Sequence, residues 1–147
     1  MTFEYVMETV GPNGKAIIGR IMDWKSRRGD IELRDTDAGF HVCLRAKDKL
    51  VPLMQVWGKL NQPTSQVIET RKQWFPADLE LSDEEERAIH ILFRNARFKP
   101  TTGHFLNLRL SFGEEKNPTL TWGPEQLDNL ERAVNETAEI VLNRYGH

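Results

Sequence analysis

The spacing of apolar residues changes several times along this chain, and this change most restricts its fold class. Over residues 30–45, apolar and polar side chains alternate, which is typical of strands with one buried face. Over 83–97, and again after Pro124, apolar residues recur every three or four positions, which is typical of helices. The sequence therefore predicts an α+β fold in a single domain over residues 1–147.

The first part of the chain predicts an N-terminal antiparallel β-meander of four strands. Clusters of turn residues, among them Gly14, Gly29 and Gly39, separate these strands. We place the four strands at 3–8, 15–24, 30–34 and 40–45. Further strands are predicted at 66–75, 104–112 and 119–122.

About three helices are predicted. The first, over 50–60, follows from the helical spacing of its apolar residues, among them Leu53 and Trp57. The second, over about 83–97, begins with a capping box, because the Ser82 and Glu85 side chains can satisfy each other's free amides. The third is a long C-terminal helix of some 20 residues, or roughly 30 Å, that starts at the Gly-Pro step after the last predicted strand.

The order of the first predicted elements resembles a known topology. A meander of four strands followed by a helix, over roughly residues 3–60, is similar to the repeating unit of the Whirly group of single-strand-binding proteins. No sequence motif of that group is matched, so the resemblance concerns topology alone and assigns no functional residue.

Composition is that of an ordinary globular protein. With 39% hydrophobic residues, four Trp and seven Phe, 147 residues can bury roughly two-thirds of their unfolded surface. No apolar run approaches the ~20 residues that span a bilayer, and the N-terminal residues lack the basic flank of a signal peptide. The single cysteine, Cys43, cannot form an internal disulfide, which fits a reducing compartment. We expect a cytoplasmic protein without membrane contact.

Charge is sorted into blocks although the formal net charge is only −2. Residues 15–28 carry five basic side chains and one acidic, and residues 87–113 carry five basic and none acidic. Residues 78–86 carry six acidic side chains and no basic one, and residues 114–139 carry seven acidic against two basic. A molecule polarised in this way favours charged partners.

Two clusters place tryptophan beside basic residues, a combination that holds single-stranded nucleic acid because indoles stack on bases and cations contact phosphates. The first cluster lies at a predicted hairpin tip, the second on or beside a predicted strand. A further arginine projects from the polar face of the strand at 104–112. The same residues also fit a core or edge role for Trp and a solubilising role for the cations. Our leading expectation is a non-enzymatic accessory protein that contacts nucleic acid, single-stranded by preference, through Trp24, Lys25, Arg27, Arg28, Arg71, Lys72, Trp74 and Arg109.

The alternative is a protein-binding adaptor or inhibitor, of the type encoded by phages and mobile elements. The acidic helix start that contains Glu84 and Glu85 would mimic a phosphate row, although capping and solvation also explain it. The apolar stripe of the last helix would bind a partner or a second copy of the chain, making a homodimer, or would pack on its own sheet. That stripe contains Leu127, Leu130, Val134 and Val141.

No residue pattern indicates catalysis. His41 and Cys43 lie two apart on one predicted strand, but no second pair completes a tetrahedral zinc site. Cys43 with His41 or His104 would form a nucleophile pair, yet buried strand cysteines are usually inert. The sequence has no phosphate-binding loop, nucleophile elbow or HExxH motif. We therefore predict no enzyme activity, no cofactor and no metal.

Overall fold

The computed structural model describes residues 3–37, 39–57, 66–112 and 122–145, without the side chains of Tyr5 and Thr9. This part of the chain contains four helices, six strands and one 3-10 turn. In chain order they are α1 (Phe3–Thr9), α2 (Pro12–Ser26), β1 (Ile31–Asp35), β2 (Gly39–Ala46), β3 (Lys49–Trp57), β4 (Val67–Thr70), the 3-10 turn (Lys72–Trp74), α3 (Asp83–Asn95), β5 (Lys99–Pro100), β6 (Leu108–Ser111) and α4 (Pro124–Tyr145).

The six strands form one sheet in the order β1-β2-β3-β4-β6-β5, and every neighbouring pair is antiparallel. Strands β1 to β4 form a meander, β6 lies beside β4, and the two-residue strand β5 forms the outer edge. The helix α3 lies between β4 and β5 in the chain and connects the two parts of the sheet. The helix α4, of 22 residues, follows β6. The predicted α+β class, with a meander and a long C-terminal helix, is confirmed.

Helices cover one face of the sheet. α4 packs against β2 and β3, while α2 and α3 pack against α4. The covered face contributes Phe40, Val42 and Leu44 to the hydrophobic core. Cys43 and Val67 are buried on the opposite face and lie outside that core. We call this opposite face the polar face, because most of its strand side chains are polar or charged.

The strands predicted at 3–8 and 15–24 are wrong, because these residues form α1 and α2. In α2 the buried residues Ile17, Ile21 and Trp24 follow one another at steps of four and three, which is the spacing of a helical stripe. Their β-branched and aromatic side chains suggested strands, but packing of the stripe against α4 overrides that local preference. The resemblance to the Whirly topology therefore does not hold over residues 3–60; a meander of four strands followed by a helix is found later, from β1 to α3.

The helix predicted at 50–60 is also wrong, because its described residues belong to β3. Pro52 and Met54 pair with successive residues of β2, so Leu53 is an extra residue that makes a β-bulge. The bulge interrupts the period of two and gives an alternating strand a pattern close to helical spacing. Residues 58–60 of this prediction lie outside the described residues.

The later elements agree better with the sequence. α3 begins where predicted, and its capping box is formed: Glu85 N–H donates to Ser82 Oγ at 3.1 Å, and Ser82 N–H donates to Glu85 Oε1 at 2.8 Å. β4 and β6 occupy parts of the strands predicted at 66–75 and 104–112. Of the short strand at 119–122, all but the last residue lies outside the described residues. None of the helices described is long and apolar enough to cross a bilayer.

Candidate nucleic-acid interface

One row of side chains crosses all six strands on the polar face. Each member lies directly opposite the next in the strand register, so all six point to the same side of the sheet. With strands about 4.8 Å apart, the row extends for roughly 24 Å. We call this set the polar row, which from β1 to β5 consists of Arg34, His41, Gln55, Glu69, Arg109 and Lys99.

Trp74 lies beside the polar row. The 3-10 turn after β4 carries its ring to β2, where its centroid is 4.9 Å from that of His41. The guanidinium of Arg71 lies 5.6 Å from the Trp74 ring centroid, in cation–π contact. Burial lowers the pKa of His41 below its ordinary 6.5, although a hydrogen bond with Gln55 opposes the shift. His41 is therefore neutral at pH 7 and contributes a ring rather than a charge.

Glu69 holds two arginines in place on the polar face. It is only 4% exposed. Its Oε2 lies 2.9 Å from Nη2 of Arg71, and its Oε1 lies 3.3 Å from Nη2 of Arg109. Both arginine side chains remain partly exposed. A buried carboxylate between two cations fixes their positions and leaves the group with one net positive charge.

Cations exceed carboxylates on this face. The strand carboxylates are Glu32 and Glu69, and hydrogen bonds from Arg45 and Arg34 lower the pKa of Glu32. Lys99, at the edge of the sheet, has no ion pair with any described residue and is exposed. Against the two carboxylates stand five cations: Arg34, Arg45, Arg71, Lys99 and Arg109. The described residues of this face therefore carry a net positive charge at neutral pH.

The first predicted cluster lies on the other side of the sheet. Trp24 is 2% exposed at the contact of α2 with α4, and its Nε1 donates to Asn135 Oδ1 at 2.9 Å. This indole is not available to a base. Because α4 packs on the covered face whereas Trp74 lies on the polar face, the two tryptophans do not share one surface.

The basic neighbours of Trp24 contact acidic residues of α4. Nη2 of Arg27 lies 2.7 Å from Glu131 Oε1, and Nη1 of Arg28 lies 3.0 Å from Glu139 Oε1. Lys25, in the last turn of α2, is half-buried. The N-terminal basic block and the C-terminal acidic block therefore neutralise each other at the contact between two helices.

The second predicted cluster is divided. The Nζ of Lys72 turns to α3, where it lies 2.7 Å from Glu86 Oε2. Arg71 and Trp74 instead meet Arg109 through the carboxylate of Glu69. Of the eight residues predicted to contact nucleic acid, these three are the ones that the structure brings together on the polar face.

The residues predicted to bind a protein partner are divided as well. Most of the apolar stripe of α4 is buried in the core of this chain, so packing on its own sheet and helices accounts for the stripe. Glu84 is exposed, whereas Glu85 is engaged by the capping box and by Arg144, whose Nε lies 2.6 Å from Glu85 Oε1. The stripe residues concerned are Leu130, Val134 and Val141, with Leu127 partly buried beside them.

The residues weighed for catalysis do not form a reactive group. Burial raises the pKa of the Cys43 thiol to about 11, which suppresses the nucleophilic thiolate at neutral pH. The His41 ring packs against Trp74, whereas the His104 ring stacks on Phe105. No group of three or more His, Cys, Asp or Glu within the described ranges is placed to hold a metal ion.

Of the six residues of the polar row, only Arg109 is among those that the sequence predicts to contact nucleic acid. Gln55 was hidden because its strand was taken for a helix, and Glu69 because nothing local marks it as the partner of two arginines. The alternation of His41, Cys43 and Arg45 with apolar residues was the signal for the polar face. No protein family, curated protein or solved structure matches this chain. The site is therefore interpreted from its own chemistry.

Proposed function

We propose that this protein is a non-enzymatic, cytoplasmic accessory protein that binds single-stranded nucleic acid across the polar face of its sheet. The observation that carries the proposal is the polar row together with the neighbouring Trp74. Cations lie near both edges of the sheet, and the rings of His41 and Trp74 lie between them. The cluster around Trp24 has no part in it.

The rings and the cations of this surface would contact different parts of the nucleic acid. Trp74 and His41 offer ring faces on which bases stack, worth ~1–3 kcal/mol per base. Arg34 lies near one edge of the sheet, and Arg109 with Lys99 near the other, where each can contact a phosphate. A nucleic-acid strand that runs along the row, at right angles to the β-strands, would meet all three groups.

Single-stranded nucleic acid fits this surface better than a duplex. A duplex buries its base faces by stacking and offers mainly phosphates and groove edges. The Trp74 ring would find no unpaired base there, and only the cations would contribute. Binding through rings and cations together is typical of proteins that hold single strands without strong sequence preference.

The test uses oligonucleotides of about 12 nucleotides, which lies within the site sizes of known single-strand binders. Tryptophan emission and mobility shifts are followed at ~50 and ~200 mM salt, with Trp74→Phe to assign the fluorescence change. We expect binding that weakens steeply with salt and a change in emission that Trp74→Phe abolishes.

Charge variants locate the interface. Lys99→Gln, which breaks no ion pair among the described residues, and Arg109→Gln should each lower affinity and reduce the slope of log K against log salt by about 0.7. The matched control is Arg132→Gln, an exposed arginine of α4 on the helical side of the molecule, which should change neither. Unchanged emission and no shift at the lower salt, or an equal effect of Arg132→Gln, would exclude the proposal.

A further inference from the structure

Two large apolar side chains are exposed in the described part of the chain, and both belong to one region. Ile91 on α3 is 52% exposed, and Phe105, in the segment between β5 and β6, is 44% exposed. His90, next to Ile91, joins them: its Nδ1 donates to the Phe105 carbonyl at 2.8 Å, and the two ring centroids are 5.4 Å apart. The apolar exposure is therefore local.

Phe105 is held in place although it is exposed. The His104 ring stacks on it with centroids 4.7 Å apart and planes at 30°. Nearby, Asn107 fixes the segment, because its Nδ2 donates to Thr102 O at 3.1 Å and its Oδ1 accepts from Lys72 N–H at 2.9 Å. An apolar group already held in position can bind a partner without a further ordering cost.

The helix that carries Ile91 also carries arginines that have no ion pair with a described residue. Of the twelve arginines in the chain, eight have an ion pair with a described carboxylate. The four that have none among the described residues are Arg87, Arg94, Arg97 and Arg132. Three of these four lie on α3 or just after it, and all are exposed. Arg87 and Arg94 are on the same outer side of α3 as His90 and Ile91.

We propose that this region is a docking site for an acidic amphipathic segment of a partner protein. The site, which we call the α3 surface, consists of Arg87, His90, Ile91, Arg94 and Phe105. Apolar side chains of the partner would cover Ile91 and Phe105, and its carboxylates would pair with the two arginines. This interaction is separate from the polar face and does not depend on the proposed function.

A peptide fits the α3 surface better than nucleic acid or a second copy of the chain. Ile91 has no ring on which a base could stack, but it can be covered by an aliphatic side chain. The first turn of α3 carries Asp83 and Glu84, which would repel a continuous row of phosphates; a peptide can place neutral residues there. In a second copy, Asp128, Glu131 and Glu139 of α4 are already paired with arginines of the same chain, so among its described carboxylates this helix could offer only Glu125 and Glu136.

The probe is a fluorescein-labelled synthetic peptide of about four helical turns, with Leu and Phe at i, i+3, i+4 and i+7 and Glu at most other positions. A scrambled peptide of the same composition is the control, and anisotropy is the readout. We expect saturable binding of the patterned peptide. Phe105→Ser and Arg94→Glu should each weaken it at least about tenfold, and both changes are at exposed positions that leave the core intact.

Two further measurements decide between occupants. Arg132→Glu changes an arginine of α4 that has no ion pair with a described residue, and it should leave peptide binding unchanged. Phe105→Ser should leave oligonucleotide binding unchanged. The proposal is overturned if the scrambled peptide binds equally well, if no peptide binds, or if Phe105→Ser weakens oligonucleotide binding instead. It is also overturned if sedimentation shows a dimer that Ile91→Ser dissociates, since the occupant is then a second copy.

Discussion

Arg28 should prove to be a structural residue, whose removal destabilises the fold without weakening the polar face. Its Nε and Nη2 donate to the two carboxylate oxygens of Asp30 at 2.9 Å each, and its Nη1 donates to Asn135 at 2.8 Å and to Glu139 at 3.0 Å. Its guanidinium also lies 5.6 Å from the Trp24 ring centroid. One side chain therefore joins the end of α2, the start of β1 and the middle of α4.

The expected loss of stability follows from burial. Removing one partner of a buried ion pair costs about 3–5 kcal/mol, and an exposed pair contributes about 0–1 kcal/mol. The Arg28 side chain is 14% exposed, but Asp30 and Glu139 are partly open to water and can be rehydrated. We therefore expect Arg28→Met to lower the free energy of unfolding by about 2–3 kcal/mol, or the Tm by about 4–12 °C. Arg28→Lys keeps the charge but loses the planar fork, and should lose about half as much.

Urea unfolding followed by circular dichroism measures this effect, as a lower midpoint at unchanged slope. The control is Arg45→Met, because the ion pair of Arg45 with Glu32 is exposed to solvent and should contribute little to stability. Equal losses for Arg28→Met and Arg45→Met would refute the reasoning from burial. Normal stability combined with weaker oligonucleotide binding in Arg28→Met would instead place Arg28 at a binding surface.

Two further predictions concern stability. Burial alone would raise the pKa of Glu85, but the Ser82 backbone N–H and Arg144 hold it below its ordinary 4.5, so the folded state favours the carboxylate. That stabilisation is present above pH 4.5 and is lost as the pH falls through the folded pKa. Glu85→Gln should therefore make the fall in the free energy of unfolding between about pH 5 and pH 3 shallower than in the unmodified protein. Parallel pH profiles of the two proteins would contradict this. The Thr137 hydroxyl is buried in α4 with no hydrogen-bond partner among the described residues. Thr137→Val should therefore raise stability by about 1 kcal/mol in the same urea assay, and a loss of similar size would show that the hydroxyl is satisfied after all.

The helices α3 and α4 could be predicted because several local signals agree in each. In α3 the capping box and the apolar stripe indicate the same start and the same face, and in α4 Pro124 stands where the stripe begins. In α2 the signals conflict, since Ile17 and Ile21 favour a strand by propensity and a helix by spacing. Only packing against α4 resolves that conflict, and packing is not visible in a local pattern.

The polar face could be predicted only in part, because its central contact depends on strand register. Glu69 and Arg109 are forty residues apart in sequence, and they meet because β4 pairs with β6. A carboxylate in a short apolar strand gives no sign of such a partner. Arg109 itself could be found, because alternation in a single strand shows which side chains share a face.

The order of charges along the chain is best explained by what each block contacts in the fold. Basic residues in α2 and just after its end contact acidic residues of α4, and acidic residues at the start of α3 contact Lys72 and Arg144. Only the basic block at 87–113 keeps most of its cations without ion pairs in the described part of the chain. Of its members, Lys99 and Arg109 lie on the polar face, and Arg87 and Arg94 lie on the α3 surface. If these cations bind anionic partners, added salt should weaken binding at both surfaces more than it lowers the stability of the fold. The reason is that salt screens the buried contacts of Arg28 less than it screens exposed charges.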